Sequence, residues 1–293
     1  MKINLIYLSL LGILFLPYAC NQIPESKTNQ VTLATANQEE KISNFFDKDN
    51  TVKNPLRIVI LIDKSSSMSG ARVESVNVDD LKPIFEILKS HGGEIAIGQI
   101  CEDSNKPLKR LQIPDIKALK STDLNNTPKP QRDNTGSPFE KVKKEQQYQQ
   151  QLENYQELID QNTEKIEQHQ QDLDKRLKNA EAEITKFQAD IQPLLNEPTN
   201  CGATDVWGGI KRSEVFLQED SKIWHNSPQK FAVLISDGFH NTGVKPITVK
   251  GDSQYILVNG LSETVPELNG LKVKYFGSPS AAFKDIYAQN QQE

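Results

Sequence analysis

The tightest constraint on this chain is the stretch Leu56–Gly70, LRIVILIDKSSSMSG. Residues 56–62 are an almost unbroken apolar run rich in Ile and Val. A run that short predicts a strand buried on both faces, as in a parallel sheet covered by helices. Asp63 ends it, and hydroxyls follow on alternate residues at Ser65 and Ser67. A carboxylate and two hydroxyls so spaced, just past a buried strand, can aim three oxygens at one point. Oxygen-only ligation suits a hard cation such as Mg²⁺. The C-terminal edge of a parallel sheet is also where open α/β folds hold ligands. The plainer reading of the same residues is a turn whose Asp caps the helix that follows.

The flanking sequence extends the pattern. Residues 72–90 carry Val73, Val76, Leu81, Ile84, Phe85 and Leu88 near helical spacing, and Gly92-Gly93 ends the helix they predict. His91 reads as a residue of its last turn. Glu94–Cys101 and Lys106–Ile113 read as two strands forming a hairpin. A helix between the first two strands makes a βαβ unit, so those strands should be parallel. Further on, Gly202-Ala203-Thr204 precedes a helix with Asp205 in its first turn. Lys230–Ser236 reads as a buried strand ending in Asp237-Gly238. Gln254–Asn259 and Lys272–Phe276 are two more strands, with a short helix near 262–268 between them and a closing helix at Ala281–Gln289.

With D-x-S-x-S at Asp63–Ser67, G-x-T at Gly202–Thr204 and Asp237-Gly238 in that order, the chain resembles the von Willebrand factor A (VWA) family, of the bacterial exported type. The resemblance covers residues 55–114 and 196–290; Ala203 stands where the family commonly has Gly. It implies an α/β fold: a Rossmann-like, doubly wound, mostly parallel sheet with one antiparallel edge strand. It also implies that Asp63, Ser65, Ser67, Thr204 and Asp237 form a metal-ion-dependent adhesion site for Mg²⁺, with Mn²⁺ or Ca²⁺ as substitutes. Three hydroxyls and two carboxylates leave the ion under-neutralised if one carboxylate acts only through water, and the ion then keeps an open position for an acidic side chain of a partner protein. The function so implied is non-catalytic: metal-dependent protein binding in adhesion or assembly.

Residues 115–195 form an insertion that the resemblance does not explain. Residues 121–138 are rich in Pro, Asn, Thr and Ser and read as an extended loop. Residues 139–192 contain no Gly and no Pro, and a helix there would run roughly 80 Å. Leu152, Tyr155, Ile159, Asn162, Ile166, His169 and Leu173 recur in steps of three and four, a coiled-coil-like heptad. After a stutter at Leu177, the rhythm resumes through Ala180, Ile184, Phe187, Ile191 and Leu194. One long helix and a hairpin broken near Asn162-Thr163 or Asp172–Asp174 are both open. In either form, Ile184–Leu194 is the part suited to pack on the sheet. A second functional reading follows, a scaffold that self-associates through 139–192.

The N-terminus predicts export. Lys2 precedes the apolar segment Ile3–Leu16, too short for a comfortable membrane span but fitting a secretory signal over residues 1–20. Cys20 after Ala19 resembles a bacterial lipoprotein site, although Pro17 and Tyr18 depart from that pattern. The expectation is a protein anchored to a bacterial membrane by lipid, facing periplasm or exterior. Residues 21–54 read as a polar tether, with Phe45 and Phe46 suited to dock on the domain. Cys101 and Cys201 are then left to pair or to stay as thiols.

Net charge is −5, with no Lys/Arg block, which argues against nucleic acid as a partner. Four His and three Cys give no C-x-x-C and no H-E-x-x-H, so a zinc site has little to work with. No G-x-S-x-G elbow or phosphate-cradling loop is present. A divalent-metal hydrolase is the lowest-ranked alternative, with His240 as its one candidate base; His240 fits better as a residue that tunes specificity. Trp207 reads as core, and Trp224 and Phe239 as core or as a rim to the site.

Overall fold

The structure, a computed structural model, describes residues 36–46, 53–69, 73–104, 106–125, 127–220, 224–260, 265, 268 and 270–291. The signal segment, Cys20 and most of the short helix expected near 262–268 lie outside the described residues.

The apolar runs become the inner strands. In β1 (Leu56–Asp63) and β2 (Gly93–Ile100) every residue is buried. Edge strand β3 (Lys109–Ile113) alternates, with only Leu111 and Ile113 buried. The sheet continues with β4 (Gln229–Ile235), β5 (Ser253–Val258) and β6 (Val273–Phe276) in the order β3-β2-β1-β4-β5-β6. All neighbouring strands are parallel except β2 and β3. The chain winds outward from β1 in one direction, then returns to β4 and winds in the other. Beyond the C-terminal ends of β1 and β4 lies the crevice where such a reversal places ligands.

Helices cover both faces, as continuous apolar strands require. The residues 36–46 form helix α1. Helices α2 (Lys82–His91), α3 (Pro138–Leu195) and α5 (Pro279–Gln291) pack into one core layer, and α4 (Val206–Gln218) into the other. Helix α2 starts ten residues later than its periodicity suggests. Residues 73–77 are irregular, and Asn77 caps a 3₁₀ turn, Val78–Leu81, by accepting the amides of Asp79 and Asp80 at 2.9 and 3.1 Å. Local side-chain bonding there outcompetes the apolar spacing. The turn into β2 needs glycine: Gly93 has φ 128°, and a Cβ on it would lie 1.9 Å from the Leu56 carbonyl oxygen.

The insertion is one continuous helix of 58 residues, roughly 85 Å long at 1.5 Å per residue, so the hairpin alternative is overturned. Its C-terminal stripe, Ala180, Ile184, Phe187, Ile191 and Leu195, is part of the core. Farther out, Arg176 donates to the carbonyls of Leu88, Lys89 and Pro114 at 3.3, 2.5 and 2.8 Å, closing the end of α2. Beyond that point α3 leaves the sheet and projects past its N-terminal edge.

The outer stripe, Tyr155, Ile159, Asn162 and Ile166, is nevertheless buried. Helix α1 and the loop before α3 cover it. Asn162 exchanges two hydrogen bonds with the backbone of Asn125, at 3.1 and 2.9 Å. Gln38 donates to Asp160 at 2.9 Å, and Phe45 meets His169 edge-on at 6.0 Å. The polar tether expected over 21–54 therefore contains a docked helix, and the heptad stripe is filled by the chain's own segments. Among the described residues, no helix is long and apolar enough to cross a membrane.

Candidate metal centre

The five oxygen-bearing residues singled out in the sequence come from three loops at the β1/β4 crevice. Asp63 ends β1 and is 1% exposed. One of its oxygens, Oδ1, accepts the Ser65 amide at 2.8 Å; the other, Oδ2, accepts the Ser236 hydroxyl at 2.6 Å. The hydroxyls of Ser65 and Ser67 lie 3.0 Å apart, Ser65 buried and Ser67 open to solvent. The 3₁₀ turn Ser66–Ser69 sets this spacing.

Thr204 is buried just before α4. The strand-like pairing of residue 201 with the Ser65 loop brings this segment in: Cys201 donates its amide to the Lys64 carbonyl at 2.9 Å and accepts the Ser66 amide at 3.0 Å. A disulfide between Cys101 and Cys201, with Cα atoms 5.6 Å apart, resolves the open question about those cysteines. It ties the end of β2 to the Thr204 segment. Asp205 caps α4 by accepting the Gly208 amide at 2.9 Å.

Asp237 follows β4 and is half-buried. Its amide approaches Met68 Sδ at 3.3 Å, and its Oδ1 accepts the Phe239 amide at 3.1 Å. Gly238 turns the chain at φ 84°, where a Cβ would strike Val265 at 2.8 Å. The turn carries the Gly238 amide to Ser236 Oγ at 3.0 Å. A relay thus runs from Gly238 N–H through the Ser236 hydroxyl to Asp63.

Several supporting residues carried no signal of their own in the sequence. Ser236 backs Asp63. Asn241 locks the third loop to the second: its Oδ1 accepts the Thr204 amide at 2.6 Å, and its own amide donates to the Thr204 carbonyl at 3.2 Å. Lys64, between two of the candidate ligands, is also buried. A hydroxyl directly before Asp-Gly at a strand end was the one available clue, for Ser236. Of the other residues weighed, Trp207 is core, Phe239 is exposed, and Trp224 lies under Arg57 at the opposite edge of the sheet. His240 Nε2 sits 2.9 Å from the Val244 carbonyl, turned into its own loop.

Burial raises the Asp63 pKa above the usual carboxylate value, the hydrogen bonds from Ser236 and Ser65 oppose that rise, and the charge of Asp237 adds to it. Among the described residues, neither carboxylate has a Lys, Arg or His within salt-bridge distance. Two neighbouring acids with serine hydroxyls beside them, and no basic partner among the described residues, make a set that an external cation would stabilise. The donors are all oxygen, so a hard divalent ion fits them better than zinc or copper. Among the described residues, no three His, Cys, Asp or Glu gather as a metal cluster; this set depends on hydroxyls. No family model, no curated protein and no solved structure matches the chain.

Proposed function

We propose that the protein is a VWA-type, metal-dependent protein-binding module and that its site is a metal-ion-dependent adhesion site. The observation that carries this is the buried, doubly hydrogen-bonded Asp63 beside paired serine hydroxyls at the β1/β4 reversal, with no basic partner among the described residues. Asp63, Ser65, Ser67, Thr204 and Asp237 would hold Mg²⁺ or Mn²⁺. The bound ion would supply an electrophilic position for a carboxylate of a partner protein. The chain's own residues fix the loops, keep Asp63 dry and leave Ser67 and Phe239 at the surface. In this reading the protein is not an enzyme, is exported, and is anchored by lipid at Cys20.

The test is thermal unfolding in EDTA and then in rising Mg²⁺ or Mn²⁺, beside Asp237→Asn. An ion that binds only the folded state adds about 2.7 kcal/mol at a hundred times Kd. Wild type should gain and the variant should not; equal gains would sink the proposal. A second reading, contact through the insertion, is favoured by Phe139 and Val142, 82% and 61% exposed at the free end of α3. It predicts an oligomer that Phe139→Ser dissociates.

A further inference from the structure

We infer that Lys64 is a positioning residue through which the seating of α3 sets the cation affinity of the Asp63–Ser67 loop. The inference rests on the cation-site reading above and extends it to the insertion.

Lys64 is 5% exposed, a rare state for lysine. Neighbours along an extended chain face opposite sides, so its side chain leaves the loop on the side away from Asp63 and Ser65. Its ammonium donates to the carbonyls of Leu195 at 3.0 Å and Glu197 at 2.7 Å. These lie where α3 ends, and the last carbonyls of a helix have no donor within it. A positive charge there also meets the negative end of the helix dipole.

The backbone of Lys64 is held as well. Its amide donates to Ile100 at 3.0 Å, and its carbonyl accepts from Cys201 at 2.9 Å. Glu197 is fastened in turn by the Gln99 side chain of β2. The end of α3 is thus tied to the first candidate loop through Lys64. It runs directly in sequence into the second, which carries Thr204. Moving the last turns of α3 would displace both loops together. Coupling of this kind is reciprocal. If seated α3 favours the cation, bound cation must hold α3 more firmly by the same factor.

The test uses Mn²⁺ binding by the purified chain, followed by calorimetry, with amide hydrogen exchange over residues 188–197. Lys64→Met should bind Mn²⁺ about tenfold more weakly, within the usual range of coupling between sites. Lys64→Arg, which keeps charge and donors, should recover part of the loss. Mn²⁺ should slow exchange at 188–197 in wild type and not in Lys64→Met. A folded Lys64→Met that binds Mn²⁺ as wild type does would overturn the inference and leave the cation site standing. If Lys64→Met does not fold, wild type decides alone: unchanged exchange at 188–197 on binding Mn²⁺ overturns the coupling. Absence of Mn²⁺ binding by wild type would remove the cation site and this inference together.

Discussion

The two edges of the sheet treat buried charge in opposite ways. At the N-terminal edge, Arg57 and Glu94 are both 3% exposed in their side chains and lie 3.3 Å apart. Arg110 bridges Glu94 and Glu219 at 2.6 Å each. The Arg57 and Arg110 guanidinium groups both stack over Phe216 at 4.9 Å. Two cations face two anions, and the cluster neutralises itself. At the C-terminal edge, Asp63 and Asp237 face hydroxyls and backbone amides, with no basic side chain among the described residues in reach. The first arrangement balances its charge within the chain. The second, among the described residues, lacks such a counter-charge, and it is the edge at which the proposed cation would sit.

The largest expected effect belongs to the self-neutralised edge. Burial lowers the Arg57 pKa, and Glu94 and Glu219 counter that. Removing Arg57 leaves Glu94 buried beside only the half-exposed Arg110. Breaking a buried pair from one side costs about 3–5 kcal/mol. Arg57→Ala should lose that much in urea unfolding, by the same amount in EDTA and in Mg²⁺. A loss that Mg²⁺ repairs would break the comparison, because it would connect the two edges.

Asp63→Asn should behave in the opposite manner. In EDTA the substitution removes a buried charge but keeps most of the hydrogen bonding, so stability should stay within about 1 kcal/mol of wild type. In Mg²⁺, wild type alone should gain, and the order should change. The pH dependence has a defined sign. A carboxyl raised in the folded state favours folding at pH below its unfolded value near 3.8, and that contribution is lost as pH rises through the folded pKa. Metal-free wild type therefore loses this contribution as Asp63 ionises. The Mg²⁺-dependent gain should fade as acid protonates Asp63, starting above the ordinary carboxylate range. A gain in Asp63→Asn equal to that of wild type would rule out this residue as part of the site.

How much of this was readable beforehand follows from the range of the forces involved. Apolar runs such as Leu56–Ile62, broken only by Arg57, and Phe231–Ile235 suit doubly covered strands, and the six-stranded, mostly parallel sheet followed. Thr204 was marked only by its place before a helix, whereas Asp63, Ser65, Ser67 and Asp237 stood out because they follow those runs closely. Lys64 did not, since a lysine in a serine-rich turn looks solvated until α3 supplies carbonyls from 131 residues away. The Cys101–Cys201 bond spans 100 residues, and no spacing rule pairs thiols at that range. The heptad rhythm of α3 marked a candidate stripe but left open whether it would be buried, and by what. Periodicity states that a face is apolar and is silent about its partner. Helix α1 read as tether, with Phe45 and Phe46 as its one docking signal, and Phe45 does meet His169 of α3.

That docking gives the smallest expected effect, and it sharpens the comparison by adding a surface acid with its own partners. Glu39 accepts Tyr155 Oη at 3.0 Å and Lys129 Nζ at 2.9 Å. Burial, then the Glu39 bond and charge, push the Tyr155 pKa up to about 12. Tyr155→Phe keeps the ring and loses one hydrogen bond, about 0.5–1.5 kcal/mol. Because α1 is joined to the rest mainly through α3, the loss should be local. Hydrogen exchange over 36–46 should quicken while the global melting temperature and the Mg²⁺ response stay unchanged. For a phenol raised in the folded state, the stabilising contribution is intact below pH 10 and is lost as pH climbs toward 12. Tyrosinate absorbance, read as the difference between wild type and Tyr155→Phe, should show this late titration. A Tyr155 that ionises with the ordinary phenols would mean that α1 does not cover the outer stripe in solution, which would leave that stripe free for another chain.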